Sequence, residues 1–198
     1  MKKYFIVAGE PSGDLHGSKL IKAIKHLNPN SSFMGHGGDS MRNEGMHIIE
    51  HVDSLAIMGF AEVLRHLPRM NKIMRNTVGA IERSKPDRVI LIDYPGFNLR
   101  LAKRLSPLKI PITYFILPQA WAWKQRRVEV LKRFIDQSIS IFPFENDWYK
   151  KHGLRVDYFG HPFVDIEHFN ETTKSFYERH SLNMNSPCLL YTSPSPRD

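Results

Sequence analysis

Short apolar runs alternate with longer amphipathic stretches along most of this chain, and this alternation constrains the fold more than any other feature. Apolar, β-branched or aromatic runs predict strands over 4–8, 32–35, 88–92, 112–116, 138–142 and 155–159. Apolar residues spaced three to four apart predict helices over 20–27 and 70–81. Residues 89–92 are apolar without interruption, as in strands that helices cover on both faces. The pattern predicts an α/β fold, a doubly wound Rossmann-like parallel sheet.

Charge and cysteine content narrow the compartment and the class of partner. A formal net charge of +8 favours phosphates, nucleic acid or an anionic membrane surface and does not choose among them. The only cysteine, Cys188, cannot form an internal disulfide, which fits a reducing compartment. No apolar stretch approaches the about 20 residues that span a bilayer, and the first apolar run is too short for a signal peptide. We expect a soluble, cytoplasmic protein.

The loops that follow the predicted strands are where a site is expected, because sheets of this kind bind ligands beyond the carboxyl ends of their strands. Glycine, proline, acidic residues and tryptophan are concentrated in four of these loops. They read GEPSGD at 9–14, GHGGDS at 35–40, DYPGFN at 93–98 and LPQAWAW at 117–123. We expect all four loops to lie along one edge of the sheet.

The first loop, 9–14, has the composition of a phosphate or sugar site at a helix N-terminus. It is not a P-loop, because the lysine of that motif is missing, and Glu10 stands where the hydrolase elbow has its first glycine. Capping of the following helix is the alternative interpretation of Ser12 and Asp14. The glycines at 35–38 follow the wrong strand for a dinucleotide fingerprint, so we do not expect NAD binding.

Asp93 is the candidate general base, because it is a carboxylate at the carboxyl end of an otherwise apolar strand, followed by a Pro-Gly turn. The alternative is an aspartate that caps this turn. Trp121 and Trp123 precede a basic run that includes Arg126 and Arg127, which pairs flat apolar faces for sugars or acyl chains with cations for phosphates. The alternative there is a core tryptophan beside a solvated basic helix.

The ten histidines show no spacing typical of metal ligands. His47 and His51 lie in a strand-like segment rather than in the helical H-E-x-x-H pattern. We therefore expect no metal.

Seven segments of the sequence, in this order, resemble the lipid-A-disaccharide synthase family of GT-B glycosyltransferases: AGEPSGDLHG, GHGGDSM, LAIMGFAEVL, KPDRVILIDYPGFN, LPQAWAWKQRR, IFPFE and GHPFVD. They span residues 1–165. The resemblance implies inverting transfer of 2,3-diacylglucosamine from its UDP-activated form to the 6′-hydroxyl of 2,3-diacylglucosamine 1-phosphate, with release of UDP. No metal or other cofactor is implied, since the UDP-sugar is a substrate.

The resemblance also implies roles for individual residues. Asp93 matches the first aspartate of the family's I-D-x-P-x-F-N motif, the proposed base for the acceptor hydroxyl. Many relatives have a second aspartate at the position of Gly96, so that acid has no counterpart here. The expected substrate-binding residues lie in the first two loops, in the motif of Asp93 and in the tryptophan loop: Glu10, Ser12, Gly13, Asp14, Gly38, Asn98, Gln119, Trp121, Trp123, Arg126 and Arg127.

The resemblance divides the chain into three parts. Residues 1–165 correspond to the acceptor-side Rossmann-like domain, and 166–188 to a linker and the start of a UDP-sugar domain that this sequence lacks. Residues 189–198, with their Ser-Pro repeats, are expected to be a non-native tail. We expect this incomplete copy to have little transferase activity by itself. Its basic charge suits peripheral binding to the anionic cytoplasmic face of the inner membrane.

Two rival functions stay open at this point. One is another GT-B enzyme or a UDP-sugar epimerase, which would not be expected to share the 119–123 loop or the Asp93 motif. The other is a non-enzymatic module that binds anions or nucleic acid, which predicts steeply salt-dependent binding. We expect no nucleic-acid partner.

Overall fold

The computed structural model describes residues 1–56, 63–164, 173–179 and Asn183. The chain divides into two compact units, Met1–Pro162 and Phe163–Asp198. The predicted linker, 166–188, is described only at 173–179 and Asn183, and the predicted non-native tail, 189–198, lies outside the described residues. The three-part division of the chain stays a prediction.

The first unit is built on a single parallel sheet, which has seven strands within the described residues. The strands are β1 (Lys3–Ala8), β2 (Ser32–Gly37), β3 (His47–His51), β4 (Arg88–Ile92), β5 (Ile112–Phe115), β6 (Gln137–Ser140) and β7 (Asp157–Tyr158). Their order across the sheet is β3-β2-β1-β4-β5-β6-β7. The chain therefore winds outward in one direction from β1 and in the other from β4, which is the doubly wound Rossmann-like topology that the sequence predicts.

Helices connect these strands and cover the sheet. In the first unit they are α1 (Pro11–Leu27), α2 (Asp39–Asn43), α3 (Val52–Ala56), α4 (Val63–Ser84), α5 (Pro95–Leu105), a 3₁₀ turn (Ser106–Leu108), α6 (Arg127–Phe134) and α7 (Pro143–Lys151). In the second unit the described residues form α8 (Thr173–Arg179). No helix in the described part of the chain combines the length and the apolar character needed to cross a membrane.

Alternate residues of the central strands enter two separate hydrophobic clusters. Phe5 and Val7 of β1 belong to one cluster, and Ile6 and Ala8 belong to the other. Strand β4 divides in the same way, because successive side chains of a strand point to opposite faces. Burial on both faces explains why these strands read as continuous apolar runs.

The predicted elements are present, and they differ from the prediction mainly at their ends. The strand-like segment around His47 and His51 is β3. Strand β7 covers only two of the five residues predicted at 155–159 and, among the strands that the structure describes, pairs only with β6. Helix α1 begins at Pro11, with Glu10 as the N-cap and no side-chain capping bond. Capping of this helix by Ser12 or Asp14 is therefore wrong.

Candidate active site at the reversal point of the sheet

The ends of β1 and β4 are level with each other, because Ala8 is paired with Ile92. The loop after β1 and the turn after β4 therefore leave the sheet side by side, where the strand order reverses. Gly9 makes their close approach possible, since a Cβ at this position would lie 2.2 Å from the Tyr94 ring. Crevices at such reversal points are where doubly wound sheets bind ligands. Asp93 is the first residue after β4 and lies at this crevice.

The turn that carries Asp93 has a strained backbone. Asp93 and the next residue, Tyr94, both have positive φ angles, of 44° and 47°. The left-handed conformation costs about 1–2 kcal/mol for a residue with a side chain. Strain of this kind persists when surrounding contacts hold it, and it is concentrated at functional sites.

Two buried side chains hold this turn through the backbone carbonyl of Asp93. The Asn98 amide donates to that oxygen at 2.7 Å and to the carbonyl oxygen of Ile92 at 3.2 Å. The Tyr114 hydroxyl donates to the Asp93 carbonyl at 2.6 Å. The backbone is thereby fixed, and the carboxylate of Asp93 stays free of these bonds.

The environment of Asp93 suits a general base near neutral pH. Burial, followed by the negative charge of Glu10, raises the pKa of the Asp93 carboxyl from 3.8 to about 6, and the Tyr94 backbone N–H and then Arg127 oppose this shift. A base is most effective when its pKa lies near the working pH. Burial of Asp93 is partial, so the carboxylate can still meet a substrate.

A cleft of about 210 Å³ extends from Asp93 toward the tryptophan loop and the start of α7. Its polar lining comes from Gln119, Arg127 and Glu145, and Trp123 supplies an aromatic wall. The cleft thus combines a carboxylate, a cation, an amide and an aromatic face, which are groups that can bind a phosphorylated sugar.

Trp123 is an accessible platform with cations around it. It is 54% exposed, with the Lys124 ammonium 4.4 Å and the Arg127 guanidinium 4.8 Å from its ring centroid. Trp123 as a core residue is therefore wrong. Trp121 is half-buried, donates from its indole nitrogen to Glu145 at 3.0 Å and packs edge-on against Phe144. These contacts make Trp121 a structural part of the loop.

Asp14 lies within α1 but caps a different helix. Its carboxylate accepts hydrogen bonds from the backbone N–H groups of Gly38 at 2.7 Å, Ser40 at 3.0 Å and Met41 at 3.0 Å. It is only 6% exposed. Asp14 and Gly38 are buried against each other, and their contact with a substrate stays a prediction. Together they tie the loop after β2 to the start of α1.

Asn98 and Gly13 also have roles in the architecture rather than at the surface of the cleft. Asn98 is completely buried and its amide supports the Asp93 turn, so its direct contact with substrate stays a prediction without an accessible side chain behind it. Gly13 is buried against β1, where an added Cβ would lie 3.2 Å from that of Ala8. This glycine lets α1 pack closely on the sheet.

The remaining predicted site residues are accessible. Glu10, Ser12 and Gln119 are exposed along the same edge of the sheet, and Arg126 is exposed at the N-cap of α6. Their contact with substrate stays a prediction. Within residues 1–56, 63–164, 173–179 and 183, no three His, Cys, Asp or Glu side chains form a group that could hold a metal. The expectation that no cofactor is needed stays a prediction too.

Glu145 is a cleft residue that the sequence reasoning missed. It is 1% exposed, and burial raises the pKa of its carboxyl, while the hydrogen bond from Trp121 and the nearby backbone N–H groups of Phe142 and Ile141 oppose the shift. The signal that could have found it is its place in the IFPFE segment, directly after β6 on the edge that carries the other loops. Unlike Asp93, Glu145 does not follow its strand directly but lies in the first turn of the next helix, α7.

Comparisons with known proteins agree on one family. The family described as lipid-A-disaccharide synthetase matches residues 4–197. A lipid-A-disaccharide synthase of Myxococcus xanthus is 37% identical over 187 residues, which are 94% of this chain and 49% of that protein. One of Alkalilimnicola ehrlichii is 42% identical over 160 residues, 81% of this chain and 42% of that protein. The chain spans about half the length of the curated relatives it matches.

Solved structures with the same fold are more distant in sequence. The UDP-GlcNAc 2-epimerase of Neisseria meningitidis, bound to UDP-GlcNAc, superposes with a TM-score of 0.59 at 12% identity, covering 83% of this chain and 47% of that one. The UDP-GlcNAc 2-epimerase of Methanocaldococcus jannaschii gives a TM-score of 0.54 at 15% identity, with coverage of 83% and 47%. At this identity, the likeness establishes the fold alone.

Proposed function

The chain belongs to the lipid-A-disaccharide synthetase family, and we propose that it forms the acceptor-binding half of a glycosyltransferase. The reaction is transfer of 2,3-diacylglucosamine from its UDP-activated form to the 6′-hydroxyl of 2,3-diacylglucosamine 1-phosphate. The observation that carries this proposal is the position of Asp93, a carboxylate of raised pKa on a rigid turn at the reversal point of the sheet. Membership of the family and the carboxylate, cation and aromatic face of the cleft support this proposal.

Asp93 acts on the acceptor hydroxyl in this mechanism. Its carboxylate accepts the 6′-hydroxyl proton as the hydroxyl oxygen attacks the anomeric carbon of the donor sugar. The bond between that carbon and the UDP oxygen breaks, the electron pair leaves with UDP, and attack from the opposite side inverts the anomeric centre. A positioned base of this kind contributes about 10²–10⁴ to the rate.

The tryptophan loop and α6 hold the acceptor while Asp93 acts on it. Trp123 offers an exposed aromatic face for the sugar ring or an acyl chain. Arg127 lines the same cleft as Asp93 and is the cation best placed for the acceptor phosphate. The positive charge of Arg127 also favours the ionised form of Asp93. One cation therefore serves both binding and the protonation state of the base.

Acceptor binding by this chain tests the proposal directly. Titration calorimetry with 2,3-diacylglucosamine 1-phosphate in detergent is expected to show binding, which Arg127→Ala weakens and Asp93→Asn retains. Arg133→Ala is the matched control, because Arg133 is exposed farther along the same helix. Absence of binding by the unmodified chain would overturn the assignment of this half to the acceptor.

Catalysis requires the portion of the protein that relatives have and this sequence does not cover. We expect a chimera of residues 1–162 with the corresponding remainder of the Myxococcus xanthus relative to form the disaccharide, and its Asp93→Ala variant to lose activity while keeping its fold. Near-normal turnover in that variant would remove Asp93 from the mechanism. Turnover is compared between the wild-type and variant chimeras after their circular dichroism spectra are shown to be equal.

The cytoplasmic face of the inner membrane is the proposed place of action. The net charge of +8 supports attraction to anionic lipid headgroups, at about 1 kcal/mol per basic residue near the surface. We expect the chain to co-sediment with vesicles that contain anionic lipid and to be released by added salt. Equal binding to purely zwitterionic vesicles would contradict this electrostatic attachment.

A further inference from the structure

One face of α7 holds the tryptophan loop at two points. Glu145 and Tyr149 lie one turn apart on this helix and are both buried, at 1% and 0% exposure. Glu145 accepts a hydrogen bond from the Trp121 indole nitrogen at 3.0 Å, and the Tyr149 hydroxyl donates to the backbone carbonyl of Pro118. Both bonds end in the same loop, residues 117–124.

Glu145 is a costly residue for a purely structural position. Burial raises the pKa of its carboxyl, which reports the penalty of keeping a charge out of water. Its second carboxylate oxygen is buried and has no hydrogen-bond partner among the described residues. A buried acid with one oxygen unpaired lowers stability, so the contact that its other oxygen makes with Trp121 calls for an explanation.

Helix capping accounts for only part of this arrangement. Glu145 is the third residue of α7, the position from which an acid can reach back to the N-cap backbone at Phe142. A cap explains an acid at this position. It does not explain the bond to Trp121, nor the second bond from Tyr149 to the same loop.

The tryptophan loop, residues 117–124, depends on contacts with other elements to keep its conformation. Its flanks at Ile116 and Lys124 both adopt positive φ angles, of 64° and 58°. It carries Trp123, and it leads directly into α6, whose first residue, Arg127, lines the cleft beside Asp93. A small shift of this loop would therefore move the aromatic platform and the cation together.

We propose that Glu145 and Tyr149 are positioning residues that latch the tryptophan loop onto α7 and so set the distance of Trp123 and Arg127 from Asp93. The latch itself is a property of this chain. Its consequence for the acceptor rests on the proposed function.

Fluorescence of Trp121 tests the latch without any substrate. Trp123→Phe with Trp148→Phe leaves Trp121 as the only tryptophan of the chain. In this background we expect Glu145→Leu and Tyr149→Phe to shift the emission to the red and to raise the acrylamide quenching constant at unchanged far-ultraviolet circular dichroism. Glu145→Gln keeps an oxygen that accepts from the indole and is expected to retain the parent values. Glu129→Leu, at an exposed acid of α6, is the matched control.

Unchanged emission and quenching in both Glu145→Leu and Tyr149→Phe would overturn the proposal. If Glu145→Leu fails to fold, Tyr149→Phe decides, because it leaves the acid and the start of α7 intact. If Glu145 only caps α7, Tyr149→Phe leaves the emission and quenching of Trp121 unchanged. That result for Tyr149→Phe alone also contradicts the proposal.

Acceptor affinity then tests the consequence for the site, in the chain that retains all its tryptophans. We expect Glu145→Leu to weaken binding of 2,3-diacylglucosamine 1-phosphate by about tenfold and Glu145→Gln to restore it. Increased quenching with unchanged affinity would refute the role of the latch in the site. Failure of the unmodified chain to bind the acceptor would refute the proposed function and leave the fluorescence result to decide the latch.

Discussion

The side-chain amide of Asn98 donates a hydrogen bond to the backbone carbonyl of Asp93 at 2.7 Å, across the first turn of α5. This bond fastens the candidate base at its backbone, where the chain adopts two successive left-handed conformations. The carboxylate is left to face Glu10 and Arg127, the two charges that act on its pKa in opposite directions. Rigidity and reactivity of Asp93 are thus provided by different neighbours.

Replacement of Asn98 by alanine is expected to destabilise the fold and loosen the Asp93 turn. The variant loses two hydrogen bonds from a fully buried amide, and we expect a loss of about 2 kcal/mol in the free energy of unfolding. Urea denaturation measures this loss. Asn71→Ala, at an exposed position of α4, is the control and is expected to change stability by less than about 0.5 kcal/mol. Equal effects of the two substitutions would contradict the role given to Asn98.

The position of Asp93 could be predicted from the sequence, but the support around it could not. An acid that ends an apolar strand must lie at the carboxyl edge of a parallel sheet, and this inference needs only the strand pattern. The role of Asn98 depends on the direction of its side chain, which follows from a strained turn that no periodicity reveals. Periodicity shows which residues face the core, so it predicts the fold class and the strand positions. It does not show which side chains contact each other.

Contacts between distant segments were beyond the sequence pattern as well. Asp14 binds backbone groups 24 to 27 residues away, and Trp121 reaches Glu145 over 24 residues. Composition placed all these residues near one edge of the sheet. Which of them face a ligand and which face each other depends on packing, so Asp14 was expected in the site and Glu145 was overlooked.

The Asp93 carboxyl is expected to titrate near pH 6, and the charge of Glu10 is expected to contribute to this raised pKa. Nuclear magnetic resonance of carboxyl-labelled aspartate measures the titration in this chain without any need for turnover. Glu10→Gln is expected to lower the pKa of Asp93, because it removes the like charge and leaves burial unchanged. Titration of Asp93 near its ordinary value of 3.8 would contradict the account of the site.

The same raised pKa predicts the pH dependence of stability at this position. Between pH 3.8 and about 6 the folded state keeps a proton that the unfolded state releases, so stability falls as the pH rises through this window. Asp93→Asn removes the effect. After allowance for solvent screening, we expect the free energy of unfolding of the variant to rise by about 1–2 kcal/mol relative to that of the parent between pH 4 and pH 7. A constant difference across this range would exclude the titration of Asp93 as a source.

Removal of the Asp14 carboxylate is expected to destabilise the loop after β2. Asp14→Ala leaves three backbone N–H groups without their acceptor, and two of the three lost hydrogen bonds are buried. We expect the free energy of unfolding to fall by about 2–3 kcal/mol. Thermal denaturation gives the comparison with Asp39→Ala, which removes an exposed acid at the start of α2. If Asp14→Ala costs no more than Asp39→Ala, the capping role is wrong.

His36 is expected to make the fold sensitive to acid. It is 1% exposed, and its Nε2 lies 2.9 Å from the Thr77 hydroxyl oxygen. That hydroxyl donates its hydrogen to the Ile73 carbonyl, so Nε2 is the donor to Thr77 and carries the ring proton. The other nitrogen, Nδ1, is buried with no hydrogen-bond partner among the described residues. A second proton would create an unpaired charge there.

Burial accordingly lowers the pKa of His36 from 6.5 to about 4. Between these values the unfolded chain binds a proton that the folded chain refuses, so stability is lost as the pH falls through this window. We compare the free energy of unfolding at pH 7 and pH 4.5. On this acidification the parent is expected to lose about 2–3 kcal/mol more of it than His36→Leu does. His26→Leu, at an exposed histidine, is the matched control. If the parent and His36→Leu lose the same stability on acidification, the buried imidazole is not the acid-sensitive group.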